Sequence, residues 1–285
     1  MVSAFHWQTT RFRIDLSRAR VMGIVNATPD SFSDGGRLAT ASAAIAHCEQ
    51  LVLEGADLLD IGGESTRPGS QAPDDDTELR RVLPVLRAAV TMGVPVSVDT
   101  SSPRVMAEAL SLGVDIVNDV RALRRPGALA YLGAHPQAGV CLMHMRGEPD
   151  TMRALADYGD VVAEVGDFLC ERALAVESAG IARDRIVIDP GIGFAKGPEH
   201  NVTLLARQAE LCGLGWPLLV GWSHKSTLGV LTGRPVGERL AASVTAALLA
   251  AQRGAAIVRV HDVAATVDAL KVWQAVQFGV TEGAT

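Results

Sequence analysis

Eight short apolar runs, separated by longer helical patterns, constrain this chain more than any other feature. The runs lie at 21–26, 58–62, 94–99, 115–120, 139–144, 185–189, 217–220 and 256–261. Each is almost continuously apolar, as in Ile186-Val187-Ile188 and Ile257-Val258-Arg259-Val260. That is the pattern of a strand covered on both faces. Helical patterns fill intervals between them at 41–54, 77–92, 158–179, 237–253 and 263–277. Pro103 opens another helix at its first turn, where a missing N–H costs little. Several intervals end in a glycine just before the next run: Gly55, Gly93, Gly113, Gly180 and Gly254. These occupy the left-handed cap position, where the lack of a Cβ removes a steric penalty. Eight β-α units in one chain of 285 residues predict an α/β fold, a closed (β/α)8 TIM barrel. The rival is an open doubly wound sheet, but the first run leads into Asn26-Ala27-Thr28-Pro29 and not into a glycine fingerprint turn. The expected organisation is a short N-terminal β-hairpin within residues 1–20 closing the barrel bottom, a single catalytic barrel over 21–278, and a flexible tail at 279–285.

Composition narrows the class of function. Apolar residues make up 48% of the chain and charged residues 20%, enough for a large core, and the net charge of −6 is spread without any basic run. This predicts no nucleic-acid partner. Cys48, Cys141, Cys170 and Cys212 show no C-x-x-C spacing, which argues against both a zinc knuckle and a disulfide framework. No apolar stretch has the length of a signal peptide or a membrane span, so the expected location is the cytoplasm, with no membrane partner.

The ends of the runs carry the chemistry, because a barrel of this kind places its active site at the C-terminal ends of its strands. They deliver Asn26; Gly62-Gly63-Glu64-Ser65-Thr66-Arg67-Pro68-Gly69; Asp99; Asn118-Asp119; His144; Asp189-Pro190-Gly191; Ser223-His224-Lys225; and Arg259 with His261. A lone Asn or Asp after a strand is ordinarily a turn or cap residue. Eight polar ends on one rim predict a ring around a polar ligand. Asp99, Asn118, Asp189 and Lys225 mix acceptors and a donor, which suits a flat heterocycle with an amino-pyrimidinone edge. Asn26, Thr66, Arg259 and His261 lack carboxylates and suit phosphate oxygens. Strands eight, one and two are neighbours in a closed barrel, so these four can share one anion. The Gly-, Pro- and Ser-rich stretches 28–37 and 65–76 are longer than connections need and read as lids, the first carrying Phe32 and Asp34.

These residues resemble a known family. Asn26-Ala27-Thr28-Pro29-Asp30-Ser31-Phe32-Ser33-Asp34-Gly35-Gly36 is similar to the first signature of the dihydropteroate synthases, and 62–69 to their second. Ser97-Val98-Asp99-Thr100, Asp189-Pro190-Gly191-Ile192-Gly193-Phe194 and Arg259-Val260-His261-Asp262 are similar to shorter motifs of the same family. The resemblance spans about 16–273. It implies a homodimeric transferase of folate synthesis that condenses 6-hydroxymethyl-7,8-dihydropterin diphosphate with p-aminobenzoate, giving 7,8-dihydropteroate and pyrophosphate, with sulfonamides competing for the aminobenzoate site. It also implies roles: Asp99, Asn118, Asp189 and Lys225 on the pterin; Asn26, Thr66, Arg259 and His261 on the diphosphate; Arg67, Pro68, Phe194 and Ser223 around the aminobenzoate. Asn26 would face Mg²⁺, and Asp99, Lys225 and Arg259 would act in catalysis.

Two departures from the family pattern stand out. Ser223-His224-Lys225 replaces the usual Ser-Arg-Lys, so the charge at 224 depends on protonation. Asn118-Asp119-Val120 continues as Arg121-Ala122 where Ser-Gly is usual. Two alternatives remain at the level of sequence. One is a pterin-binding paralogue that no longer turns over. The other is a methyltetrahydrofolate-binding methyltransferase domain, which would have no use for Thr66, Arg259 and His261.

Overall fold

A computed structural model describes residues 6–28, 37–65, 72–148 and 150–279. Eight parallel strands follow one another: β3 (Arg20–Asn26), β4 (Leu58–Gly62), β5 (Val96–Asp99), β6 (Ile116–Asp119), β7 (Gly139–Met143), β8 (Ile186–Asp189), β9 (Leu219–Val220) and β10 (Ile257–Val260). Their order in the sheet is β8-β7-β6-β5-β4-β3-β10-β9. A parallel bridge between Ile188 and Leu218 joins the two remaining edges, so the sheet closes. Closure leaves no unpaired edge, and a helix follows every strand. Most strands are a residue or two shorter than their apolar runs, because the ladder stops where the chain bends into a turn. The five expected glycine caps all adopt left-handed φ, between 80° and 102°.

The outer layer is made by α1 (Arg37–Leu53), α2 (Asp75–Ala89), α3 (Pro103–Ser111), α4 (Ala128–Gly133), α5 (Val161–Ser178), α6 (Pro198–Ala206), α7 (Gln208–Cys212), α8 (Ser226–Thr232), α9 (Leu240–Gln252) and α10 (Val263–Phe278). Asp74, Ser102 and Asp160 cap α2, α3 and α5 by accepting backbone N–H bonds from the first turn. The main core lies between helices and sheet, where Leu51, Leu86, Val105, Leu169 and Val263 meet the outward faces of the strands.

The N-terminal hairpin pairs β1 (His6–Gln8) with β2 (Arg13–Asp15). It buries Trp7, Ile14 and Leu16 against Met22, Leu58, Ile116, Val187, Leu219 and Ile257, inside the lower end of the barrel. Trp7 Nε1 donates to the Arg185 carbonyl at 2.9 Å, and Arg11 grips the buried Asp115 at 2.6 Å. With the lower end plugged, the upper end of the barrel interior is the one left for a ligand.

Candidate active site

Interior positions alternate along each strand, so the side chains two residues above the plug also face inward. On β4, β6, β8 and β10 that step runs from Leu58 to Asp60, Ile116 to Asn118, Val187 to Asp189 and Ile257 to Arg259. The upper interior opens as a cavity of about 730 Å³. Asn26, Asp99, Asn118, Asp189, Phe194, Ser223, Lys225, Arg259 and His261 all line it. Thr66, Arg67, Pro68, Phe32 and Asp34, which the sequence also nominates, lie outside the described residues.

Arg259 organises the floor. Its Nε donates to Asp60 Oδ2 at 2.6 Å, and Nη2 donates to Asp99 Oδ2 at 2.9 Å. Burial opposes its charge, but Asp60 and Asp99 more than offset this and hold the guanidinium above its ordinary range. Arg259 thus bridges the two groups that residue type had separated. Burial, then Asp60, raise the Asp99 carboxyl above its ordinary range, while Arg259 at 2.9 Å opposes them and favours the carboxylate. Burial likewise raises Asp189 to about 6, against the Gly191 N–H bond at 2.7 Å and the charge of Lys225. Lys225 is lowered to about 8 by burial and then by Arg259. Its ammonium lies 4.2 Å from the Phe194 ring centroid, within cation–π range. Burial and neighbouring charges hold these ionisable groups away from their solution behaviour, as is common at functional sites.

One wall is apolar. Val120, Met143, Met152 and Phe194 form a small cluster beside the floor, a surface for a flat ring. Gly191 and Gly193 let the loop after β8 turn sharply below Phe194. Both have positive φ, and a Cβ on Gly191 would stand 2.0 Å from the His144 carbonyl oxygen. The buried Lys196 fastens this loop, donating to the Gly191 and Phe194 carbonyls at 3.1 and 3.0 Å and to His144 Nδ1 at 2.8 Å. Burial followed by Lys196 depresses the His144 imidazolium to about 2, so this ring is neutral.

On the other side, the His261 backbone N–H donates to Ser223 Oγ at 3.2 Å, and Ser223 Oγ lies 2.9 Å from His261 Nδ1. Ser223 thus ties the backbone and the ring of His261 together, the direction of the second contact being set by the ring tautomer.

The structure corrects one expectation. His144 is not part of the rim ring. It is buried beneath Lys196 and Phe168, and Met143 is the inward residue at that end of β7. His224 lines the cavity, yet its ring is engaged elsewhere. Its Nδ1 lies 3.1 Å from the Val236 carbonyl, and Nε2 lies 2.8 Å from Asp262 Oδ2, a charge contact off the line of a hydrogen bond. At the second departure, Ala122 and Leu123 hold left-handed φ of 52° and 57° without glycine. Asp119 stabilises this turn by accepting the Arg121 and Leu123 N–H groups, and the Arg121 side chain forks onto Glu64 at 2.8 and 3.1 Å and reaches Glu148 at 2.6 Å.

Sequence reasoning missed Asp60, which is fully buried on β4. A charged residue inside an otherwise apolar run was the available signal, since a buried carboxylate requires a partner.

Comparison with known proteins agrees with this geometry. The family model described as "Pterin binding enzyme" matches residues 22–261. The dihydropteroate synthase of Neisseria meningitidis serogroup B is 52% identical over 94% of this chain and 96% of its own length. That of Xanthomonas albilineans, solved with 4-aminobenzoic acid, superposes with a TM-score of 0.92 at 53% identity, covering 97% of this chain and 99% of the other. Its complex with 7,8-dihydropteroate gives 0.88 at 52% identity over 96% and 99%. The Yersinia pestis enzyme, solved with a sulfonamide drug complex, gives 0.90 at 43% identity over 96% and 99%.

Proposed function

Because the chain belongs to the family of pterin binding enzymes, we propose that its upper barrel cavity receives a dihydropterin diphosphate on the floor and an aromatic amine beside it. The activity is that of a dihydropteroate synthase, a transferase that condenses 6-hydroxymethyl-7,8-dihydropterin diphosphate with p-aminobenzoate and releases pyrophosphate. The observation that carries this reading is the convergence of Asp99, Asn118, Asp189, Lys225, Arg259 and His261 in one cavity.

Asp99, Asn118 and Asp189 supply acceptors for ring N–H groups, and Lys225 supplies a donor. Arg259 and His261 face the diphosphate, with Asn26 at the end of the neighbouring strand β3. Phe194 and the methionines form the wall for the aminobenzoate. The C–O bond to the diphosphate breaks with its electron pair leaving on pyrophosphate, and the pterin ring donates into the exocyclic methylene. Asp99, beside the ring, stabilises the developing positive charge. The amine nitrogen then bonds to the methylene carbon and loses a proton. An aromatic amine attacks without prior deprotonation, so no strong base is required.

Among the described residues no cluster of three His, Cys, Asp or Glu could hold a metal by itself. One side-chain oxygen from Asn26 together with substrate phosphates is a donor set suited to Mg²⁺, which keeps most of its waters. Asn26 would hold the ion there, and the ion would supply positive charge to offset that of the leaving pyrophosphate. Four free cysteines favour a reducing cytoplasm. Val230 and Leu231 on α8, Leu240 on α9, and Val272 and Val276 on α10 are exposed on adjacent helices, and we assign the face of a homodimer to them.

Pyrophosphate release with both substrates tests the reading. Turnover that requires both substrates is expected. Pterin binding without turnover would instead favour the inactive paralogue. Light scattering tests the dimer, which should dissociate on Val272→Asp.

A further inference from the structure

One fully buried charged group in the upper barrel takes no part in the chemistry above. Asp60 is fully enclosed on β4, two residues below Gly62, which pairs with Asp99. One of its oxygens, Oδ2, accepts from both Arg259 Nε at 2.6 Å and Asn118 Nδ2 at 3.0 Å. The other has no hydrogen-bond partner among the described residues. A carboxylate against a guanidinium accepts and does not donate. The edge of Asn118 that faces Asp60 is therefore its NH₂, and the carbonyl oxygen is the atom left for the cavity that Asn118 lines. An asparagine presents a donor or an acceptor according to a flip of its amide, and only a neighbour decides which.

We propose that Asp60 is a positioning residue that sets the hydrogen-bond polarity of the pterin site, by fixing the Asn118 amide with its oxygen toward a ring N–H. The inference rests on the proposed function, since it concerns how that same cavity reads its heterocycle. With Asn118 fixed, three inward residues on β5, β6 and β8 (Asp99, Asn118 and Asp189) all present acceptors, and Lys225 presents the donor. Such a pattern selects a ring whose edge is rich in N–H groups. A fused ring with a bare nitrogen at the Asn118 position would meet a lone pair. The same Asp60 oxygen holds Arg259 Nε, which leaves Nη2 directed at Asp99 and so couples the two groups.

A charge swap tests this. Calorimetry would measure binding of a dihydropterin lacking the diphosphate to wild type, Asp60→Asn, Asn118→Asp and the double variant, with thermal melting alongside. Asp60→Asn frees the Asn118 amide and should weaken binding about 30-fold, the loss expected when a charged acceptor is removed from a buried pair. Asn118→Asp sets two carboxylates face to face and should lose at least as much. In the double variant the amide now on β4 donates to the carboxylate now on β6, which again offers an oxygen to the cavity. Its affinity should return to within about tenfold of wild type, a non-additivity that a packing role does not produce. The decision survives a poorly folded single variant, because the double variant can be measured against wild type alone. Binding by Asp60→Asn within about threefold of wild type, or a double variant no better than the weaker single, would overturn the proposal. A wild type that binds no dihydropterin would overturn the reading of the cavity itself.

Discussion

The two ends of the barrel interior are built from the same strands and differ in kind. Below, Leu58, Ile116, Val187 and Ile257 pack around Trp7 of the hairpin. Two residues further along the same strands stand Asp60, Asn118, Asp189 and Arg259. The lower layer gains free energy from burying apolar surface. In the upper layer burial works against ionisation, raising Asp99 and Asp189 and lowering Lys225. One layer stabilises the fold, and the other stores unfavourable charge for a ligand to relieve.

Breaking the lower layer should give the largest change in stability. Trp7 is fully buried and its indole N–H is bonded, so Trp7→Ala should cost about 3–5 kcal/mol. Calorimetric affinity for a dihydropterin should stay within about threefold of wild type in the folded variant. A large loss of affinity with little loss of stability would mean that the plug and the floor are not separate layers.

The converse is expected above. Asp189→Asn should weaken pterin binding about 100-fold, by replacing a charged, acceptor-only carboxylate with an amide that sets an N–H donor where an acceptor stood. The same change should stabilise the ligand-free protein at neutral pH. Asp189 titrates near 6 in the fold, above its ordinary 3.8. Its contribution to stability is fully present below the unfolded value and is lost as pH rises through about 6. The neutral amide escapes that loss, a gain on the order of 3 kcal/mol at pH 7. Melting temperatures of both proteins from pH 4 to 7 check this. Parallel curves would show that Asp189 is not strained.

Within the upper layer, His261→Ala should weaken pyrophosphate binding by about tenfold and leave a phosphate-free pterin nearly unaffected. Equal losses would mean that the floor cannot be divided into ring and anion parts, a result that the Arg259 bridge between Asp60 and Asp99 would then explain.

The smallest effect is expected at the rim. The His224 ring is directed at Asp262 and the Val236 carbonyl, so it is engaged by neighbours at the rim. His224→Arg should change the KM for aminobenzoate by less than about threefold between pH 6 and 8, as for a charge already countered nearby. A KM that rises with pH in wild type and is flat in the variant would show instead that the charge at 224 acts on the aminobenzoate.

Much of this site is legible in the amino-acid sequence. The apolar runs mark all eight strands, and the polar ends mark Asn26, Asp99, Asn118, Asp189, Lys225 and Arg259, which do meet in one cavity. His144 misleads because a polar residue at the end of a strand faces inward only when its parity matches. Cys141 and Met143 point inward on β7, so the next residue points out. Asp60 is hard to read because the run containing it is otherwise apolar, although alternation from Leu58 already places it inside. Lys196, seven residues beyond Asp189, lies too far past the strand end for its position in the chain to implicate it.

The sequence by itself determined the number and order of the strands, the glycine caps and the chemical types available at the mouth, because these follow from local periodicity and backbone sterics. Only the tertiary structure decided which of those groups share a proton environment and which way each one points. Asp60 and Arg259 are 199 residues apart in the chain and 2.6 Å apart in space. Their contact, and the orientation it imposes on Asn118, depend on barrel closure and strand register, which bring distant carboxylates and cations into one buried volume where each must satisfy the others.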